Sequence, residues 1–148
     1  LSRQDLRNLP LPAGMATPPV EKGAYIVHDP LGTPDVILIG TGSEVDIAIT
    51  AAQRLASENI HARVVSMPSW EYFQAQPKAY QEEVLPSEVT ARVSVEAGIT
   101  LGWERWVGSA GRTIGIDHFG ASAPAEILYE QFGITAEHIV QEARSLLR

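Results

Sequence analysis

The clearest change of hydrophobic period along this chain falls where Val36-Ile37-Leu38-Ile39 gives way to Gly40-Thr41-Gly42-Ser43-Glu44-Val45. The unbroken apolar run, rich in β-branched residues and entered from Pro34-Asp35, predicts a short buried strand. Val45, Ala48, Ala52, Leu55 and Ala56 then recur at helical spacing. Thr41 followed by Glu44 has the spacing of a capping box, with Ser43 as a second N-cap candidate. A strand thus feeds a helix through a tight turn. Arg63-Val64-Val65-Ser66-Met67 supplies the second strand of a right-handed βαβ unit, which requires a parallel sheet.

The remaining elements hang on this unit. Residues 1–22 have no sustained period and carry Pro10, Pro12, Pro18 and Pro19, which forbids a helix and predicts an extended linker or arm. The domain proper is expected over 23–148. Ala24-Tyr25-Ile26-Val27-His28 predicts a short strand stopped by the turn-rich Asp29-Pro30-Leu31-Gly32. So few residues separate it from Val36 that an antiparallel pair, and an edge position, is expected. Ser69 caps a short helix with Trp70 and Phe73 toward the sheet, and Lys78 to Val84 forms another helical piece. Ala91 to Glu96 and Arg112 to Ile116 are the last two strands, with Leu101 to Val107 as a short aromatic-faced helix between them. Ser122 and Pro124 start a helix over Ala125 to Phe132, and Gly133 ends it. Thr135 opens the closing helix, whose apolar stripe is Ile139, Val140, Ala143, Leu146 and Leu147. The pattern predicts an α/β fold: a three-layer α/β/α domain with a five-stranded, mostly parallel sheet and one antiparallel edge strand.

Composition narrows the function classes. The 148 residues suffice for one domain with a real core. A formal charge of −7, with no cluster of Lys and Arg beyond Arg3 and Arg7, argues against a nucleic-acid partner. The absence of cysteine excludes disulfides and thiolate metal sites and fits a cytoplasmic setting. No run approaches the roughly 20 apolar residues of a membrane span. The chain begins with Leu and reads as the middle of something, so a fragment is expected.

Four places invite a chemical reading. The Gly40 to Val45 turn opens like a dinucleotide fingerprint, but Val45 replaces the third glycine, and Ser66-Met67-Pro68 stands where a ribose-binding acid belongs. It reads as a helix start whose Thr41, Gly42 and Ser43 remain an anion-site candidate. Glu96, at the carboxyl end of a strand, is an acid–base candidate, against the plainer reading that it caps a turn or the next helix. His118 lies in the loop after the fifth strand, on the same edge, and His28, His61 and His138 have no metal-ligand spacing with it. Trp103, Trp106, Tyr72 and Phe73 read as core or domain interface before they read as a stacking platform. Ser43, Ser66 and Ser122 stand in no nucleophile elbow, so covalent catalysis finds no support, and no catalytic residue of a self-sufficient active site is expected.

Several short stretches carry a further signal. Leu1-Ser2-Arg3-Gln4, Gly42-Ser43-Glu44-Val45, Val65-Ser66-Met67-Pro68, Val95-Glu96-Ala97-Gly98, Val107-Gly108 and Phe119-Gly120-Ala121-Ser122-Ala123-Pro124 occur in the order and spacing of transketolases. Over its whole length the chain resembles the C-terminal domain of a bacterial-type transketolase. Residues 1–22 then correspond to the end of the preceding, pyrimidine-binding domain. The resemblance implies a thiamine-diphosphate- and Mg²⁺-dependent enzyme of the pentose phosphate pathway, a homodimer. Such an enzyme moves a two-carbon ketol unit between ketose and aldose phosphates. The cofactor-binding parts belong to the N-terminal and middle domains, so this domain alone is expected to be structural and interfacial, inert and free of cofactor. Arg3 matches the family arginine that reaches the phosphate of the sugar substrate, a role suited to a bidentate, permanently charged guanidinium. The alternative is a free-standing regulatory module that holds an anion or nucleotide at Thr41, Gly42, Ser43, Glu96 and His118.

Overall fold

All five residues of the Val36–Gly40 strand are buried, and the sheet is built outward from it. The computed structural model describes residues 17–117 and 125–148; Arg3, His118, Ser122 and Pro124 fall outside them. The strands are β1 (Tyr25–His28), β2 (Val36–Gly40), β3 (Ala62–Ser66), β4 (Arg92–Val95) and β5 (Arg112–Ile114), in the order β1-β3-β2-β4-β5. The α-helices among the described residues are α1 (Glu44–Ser57), α2 (Trp70–Gln74), α3 (Lys78–Val84), α4 (Glu104–Val107), α5 (Ala125–Gln131) and α6 (Ala136–Leu146). The end of the 1–22 stretch, expected to be extended with no helix, instead forms a single 3₁₀ turn at Val20–Lys22 just after Pro18 and Pro19, closed by Gly23 N donating to the Val20 carbonyl.

β2 runs parallel to both of its neighbours, with Leu38 opposite Val64 of β3 and Val93 of β4. β1 is the antiparallel edge strand, but its partner is β3, not β2. The short link from His28 to Val36 suggested direct pairing, yet the seven intervening residues reach easily past β3, across two inter-strand spacings of about 10 Å in all. Burial decides the order. A strand apolar on both faces belongs at the centre, and half-exposed β1 belongs at the rim. Arg63 fastens the link: its Nε and Nη2 donate to the Asp29 carboxylate at 2.7 and 3.1 Å, and its Nη1 donates to the Glu83 carbonyl at 2.7 Å.

Alternation along the strands divides the core in two. Val36, Leu38, Val64, Val93 and Val95 face α1 and α6, while Ile37, Ile39 and Val65 face Phe73, Val84, Trp103 and Trp106 of the α2–α4 side. α1 presents Val45, Ala48, Ala51, Ala52 and Leu55; Ala56, expected in the stripe, is exposed. α6 buries Ile139, Val140 and Ala143, but Leu147 lies beyond the helix end and is 40% exposed. Ser69 caps α2 as expected, accepting from Tyr72 N, and Thr135 caps α6, accepting from His138 N.

Gly40 sets how closely α1 approaches the sheet. A Cβ there would lie 3.1 Å from the Val45 N and Cα atoms and 3.2 Å from the Glu44 carbonyl carbon, all backbone and unable to swing aside. Gly40→Ala is therefore expected to lower stability by about 1–3 kcal/mol, the usual cost of overpacking a tight contact. Urea denaturation checks this, and an unchanged midpoint would show that α1 can slide away without cost.

Candidate functional site

Open α/β sheets hold ligands beyond the carboxyl ends of their strands, where the strand order reverses. In this sheet the chain leaves β2 for β3 on one side and leaves β4 for β5 on the other, so the crevice lies between β2 and β4. The Thr41-Gly42-Ser43 turn follows β2 and the Glu96-Ala97-Gly98 turn follows β4. Four of the sequence candidates, Thr41, Gly42, Ser43 and Glu96, therefore share one sheet edge.

The turn after β2 is closed by a hydrogen bond from Glu44 N to the Thr41 carbonyl at 3.0 Å, with Gly42 at φ +51°. The expected capping box does not form. Ser43 occupies the cap position in a helical conformation and its hydroxyl bonds no backbone N–H. It donates instead to Glu44 Oε1 at 2.9 Å and lies 3.0 Å from the Tyr129 hydroxyl, which itself donates to Glu44 Oε1 at 2.5 Å. Glu44 is only 4% exposed. Its carboxylate is the acid that the positive end of α1 favours, and it comes from within the chain. Tyr129 stands on α5, 85 residues away, and nothing in the local spacing announces it.

The turn after β4 is equally committed. Glu96 Oε2 accepts a 2.9 Å hydrogen bond from Nε1 of Trp103, whose side chain is 1% exposed. The plainer expectation for Glu96, a structural acceptor, fits this geometry, although its donor is a core indole rather than the adjacent turn. Past the turn, the Gly98 carbonyl accepts from Ile116 N at 2.7 Å. Thr100 donates through its backbone N and its hydroxyl to the two oxygens of Asp117, at 2.8 and 2.7 Å. A Cβ on Gly115 would stand 2.7 Å from the Gly98 carbonyl oxygen, so glycine is needed for the two exits to lie this close. The sequence singled out neither Thr100 nor Asp117, because the two halves of this clasp meet only through the fold.

The other candidates disperse. Trp103, Trp106 and Phe73 are buried while Tyr72 is 61% exposed, so the four aromatic residues form a core with one outlier and no platform. Trp70 meets Trp103 edge-on with ring centres 5.1 Å apart. His28 and His61 are exposed, and His138 Nδ1 lies 2.8 Å from the Gly133 carbonyl. Among the described residues no three His, Asp or Glu side chains converge on a metal position, and no helix is long and apolar enough to cross a membrane.

Comparison with known proteins gives a consistent result. A family model described as the transketolase-like TK C-terminal domain matches residues 23–135. The chain is 50% identical to the transketolase of Halalkalibacterium halodurans, with 99% of this chain aligned to 22% of that protein. It is 56% identical to a chloroplastic transketolase of Craterostigma plantagineum, again over 99% of this chain and 28% of the relative. The chain thus spans about a quarter of the curated relatives it matches. The transketolase structure from Leishmania mexicana superposes with a TM-score of 0.80 at 44% identity, over 86% of this chain and 18% of that one. The Pichia stipitis transketolase in complex with sedoheptulose-7-phosphate gives a TM-score of 0.78 at 33% identity over the same shares.

The Glu96–Trp103 bond generates a test. Glu96→Leu leaves a buried indole N–H unpaired and is expected to lower stability by about 1–3 kcal/mol, while Glu96→Gln, which keeps an acceptor, costs less. Urea unfolding followed by tryptophan emission separates the two variants. Equal losses would mean that the carboxylate charge, and not the hydrogen bond, is what the fold uses.

Proposed function

The chain belongs to the transketolase family, as its C-terminal domain, and we propose that the intact enzyme transfers a two-carbon ketol unit between ketose and aldose phosphates. The observation that carries this reading is identity near one half across 99% of the chain with proteins several times its length that are transketolases. The domain itself is structural and interfacial. Its partners are the N-terminal and middle domains of the same enzyme and, in a homodimer, the second subunit. The proposal includes a cytoplasmic location.

The crevice geometry agrees with that division of labour. Both carboxylates nearest the crevice have protein partners, Glu44 with Tyr129 and Glu96 with Trp103. Thiamine diphosphate and Mg²⁺ require an acidic, metal-holding donor set, and the described residues do not fit one. In this proposal both belong to the parts of the enzyme outside this chain, and no chemical step runs through the residues of the C-terminal domain. Residues 1–22 are the arm that leads in from the preceding domain. Arg3, on that arm, holds the phosphate of the sugar substrate by a charge-assisted, bidentate contact.

The test uses the intact enzyme. Arg3→Ala is expected to raise KM for phosphorylated sugars by an amount corresponding to about 1.5–3 kcal/mol, roughly ten- to a hundredfold, with little effect on an unphosphorylated ketose. Steady-state kinetics on both substrate types measure the difference. Unchanged kinetics with sugar phosphates would remove Arg3 from the site.

A further inference from the structure

Single exposed aliphatic residues are ordinary on a protein surface, but a cluster of them on one flank is not. Such a cluster stands where α2 meets the exit of β4. Ile99 and Leu101 are 62% and 73% exposed. Next to Leu101, the half-buried Trp70 ring lies so close on Gly102 that a Cβ there would stand 2.8 Å from its Cζ3. Tyr72, the aromatic residue left out of the core, is on the same short helix as Trp70. Exposed Val20 opens the 3₁₀ turn that ends at Gly23, and the Gly23 carbonyl accepts a 3.0 Å hydrogen bond from Ser69 N, the cap of α2.

The turn that carries Ile99 and Leu101 is fixed by its polar bonds. Thr100, between them, donates its backbone N and hydroxyl to Asp117, and the Gly98 carbonyl accepts from Ile116 N. Gly102 N donates to Glu104 Oε2 at 2.8 Å. The two large aliphatic side chains are thus displayed on an ordered turn, yet neither belongs to either core cluster of the domain. A loop ordered before it meets a partner loses little conformational entropy on binding.

The course of the chain indicates the partner. In the C-terminal-domain reading, residues 1–22 lead in from the preceding domain, and the described chain arrives at Val20–Lys22 against α2, beside this cluster. A domain joined by so short an arm is present at high effective concentration next to this flank. The chain aligns to only 22% and 28% of its relatives, so most of such an enzyme must pack against it from outside.

We propose that Val20, Trp70, Tyr72, Ile99 and Leu101 form the surface on which the preceding domain of the same polypeptide docks. Ile99 and Leu101 are its anchors, closed over by an apolar patch of that domain, with Val20 and Tyr72 toward the linking arm. This inference rests on the C-terminal-domain reading and adds to it the face that is covered.

Hydroxyl-radical footprinting of the intact enzyme, read residue by residue by mass spectrometry, tests the surface. Leu31 is the internal reference: it is the same side chain, 97% exposed, in the link before β2 and so at the opposite edge of the sheet from Leu101. In the intact enzyme Leu101 is expected to be oxidised about fivefold or more slowly than Leu31, because an interface core excludes solvent. In the 148-residue chain, its folding checked by circular dichroism, the two leucines should react at similar rates. Similar rates in an intact enzyme that carries out ketol transfer would overturn the docking surface and leave the family reading standing. An intact polypeptide without that activity would overturn the family reading instead. Protection of Leu101 that disappears on dilution to single subunits would assign the face to a second copy. Protection already present in the 148-residue chain would assign it to residues 1–16. Either result would overturn the preceding domain as the occupant.

Discussion

The contact between Gly40 and the first turn of α1 is the constraint on which the rest of this domain depends. β2 is buried along its whole length, so layers must cover both of its faces, and α1 must begin as soon as β2 ends. A side chain on the strand's last residue would crowd this approach, because a Cβ on Gly40 would stand 3.1–3.2 Å from the backbone of Glu44 and Val45. Once α1 is seated there, β3 follows beside β2, and the return to β4 must cross to the other side. That crossing produces the reversal of strand order and therefore the crevice.

The crevice is flanked by the protein's own hydrogen bonding. The two turns that flank it carry the acids Glu44 and Glu96, and each acid stabilises another element: Glu44 holds Tyr129 of α5, and Glu96 holds Trp103, just before α4. The Thr100–Asp117 clasp then joins the exits of β4 and β5. Side chains committed in this way organise packing.

The fold was legible where short-range physics decides it. The apolar run of β2, the Ser69 and Thr135 caps, the span of α3 and the glycine stop at Gly133 all follow from propensity and local hydrogen bonding, and they stand where the sequence put them. It was illegible where the partner is distant. Glu44 has capping-box spacing, but a tyrosine 85 residues away offers its carboxylate a better donor. β1 was matched to its neighbour in sequence, whereas burial matched it to β3. Ala56 and Leu147 kept helical spacing but rotated or ran out of the buried face, as a 3.6-residue period allows at the end of a stripe. At the candidate site, strand ends alone put Thr41, Gly42, Ser43 and Glu96 on one edge. The roles of Tyr129, Asp117 and Trp103 required the tertiary structure.

The measurement that bears most directly on the C-terminal-domain reading is the size of the native polypeptide, read by probing a lysate of the source cells with an antibody against this domain. A band several times larger than 16.0 kDa is expected, with transketolase activity in the same immunoprecipitate. A band at 16.0 kDa, with no thiamine-dependent activity accompanying it, would contradict the reading and make the chain a module in its own right.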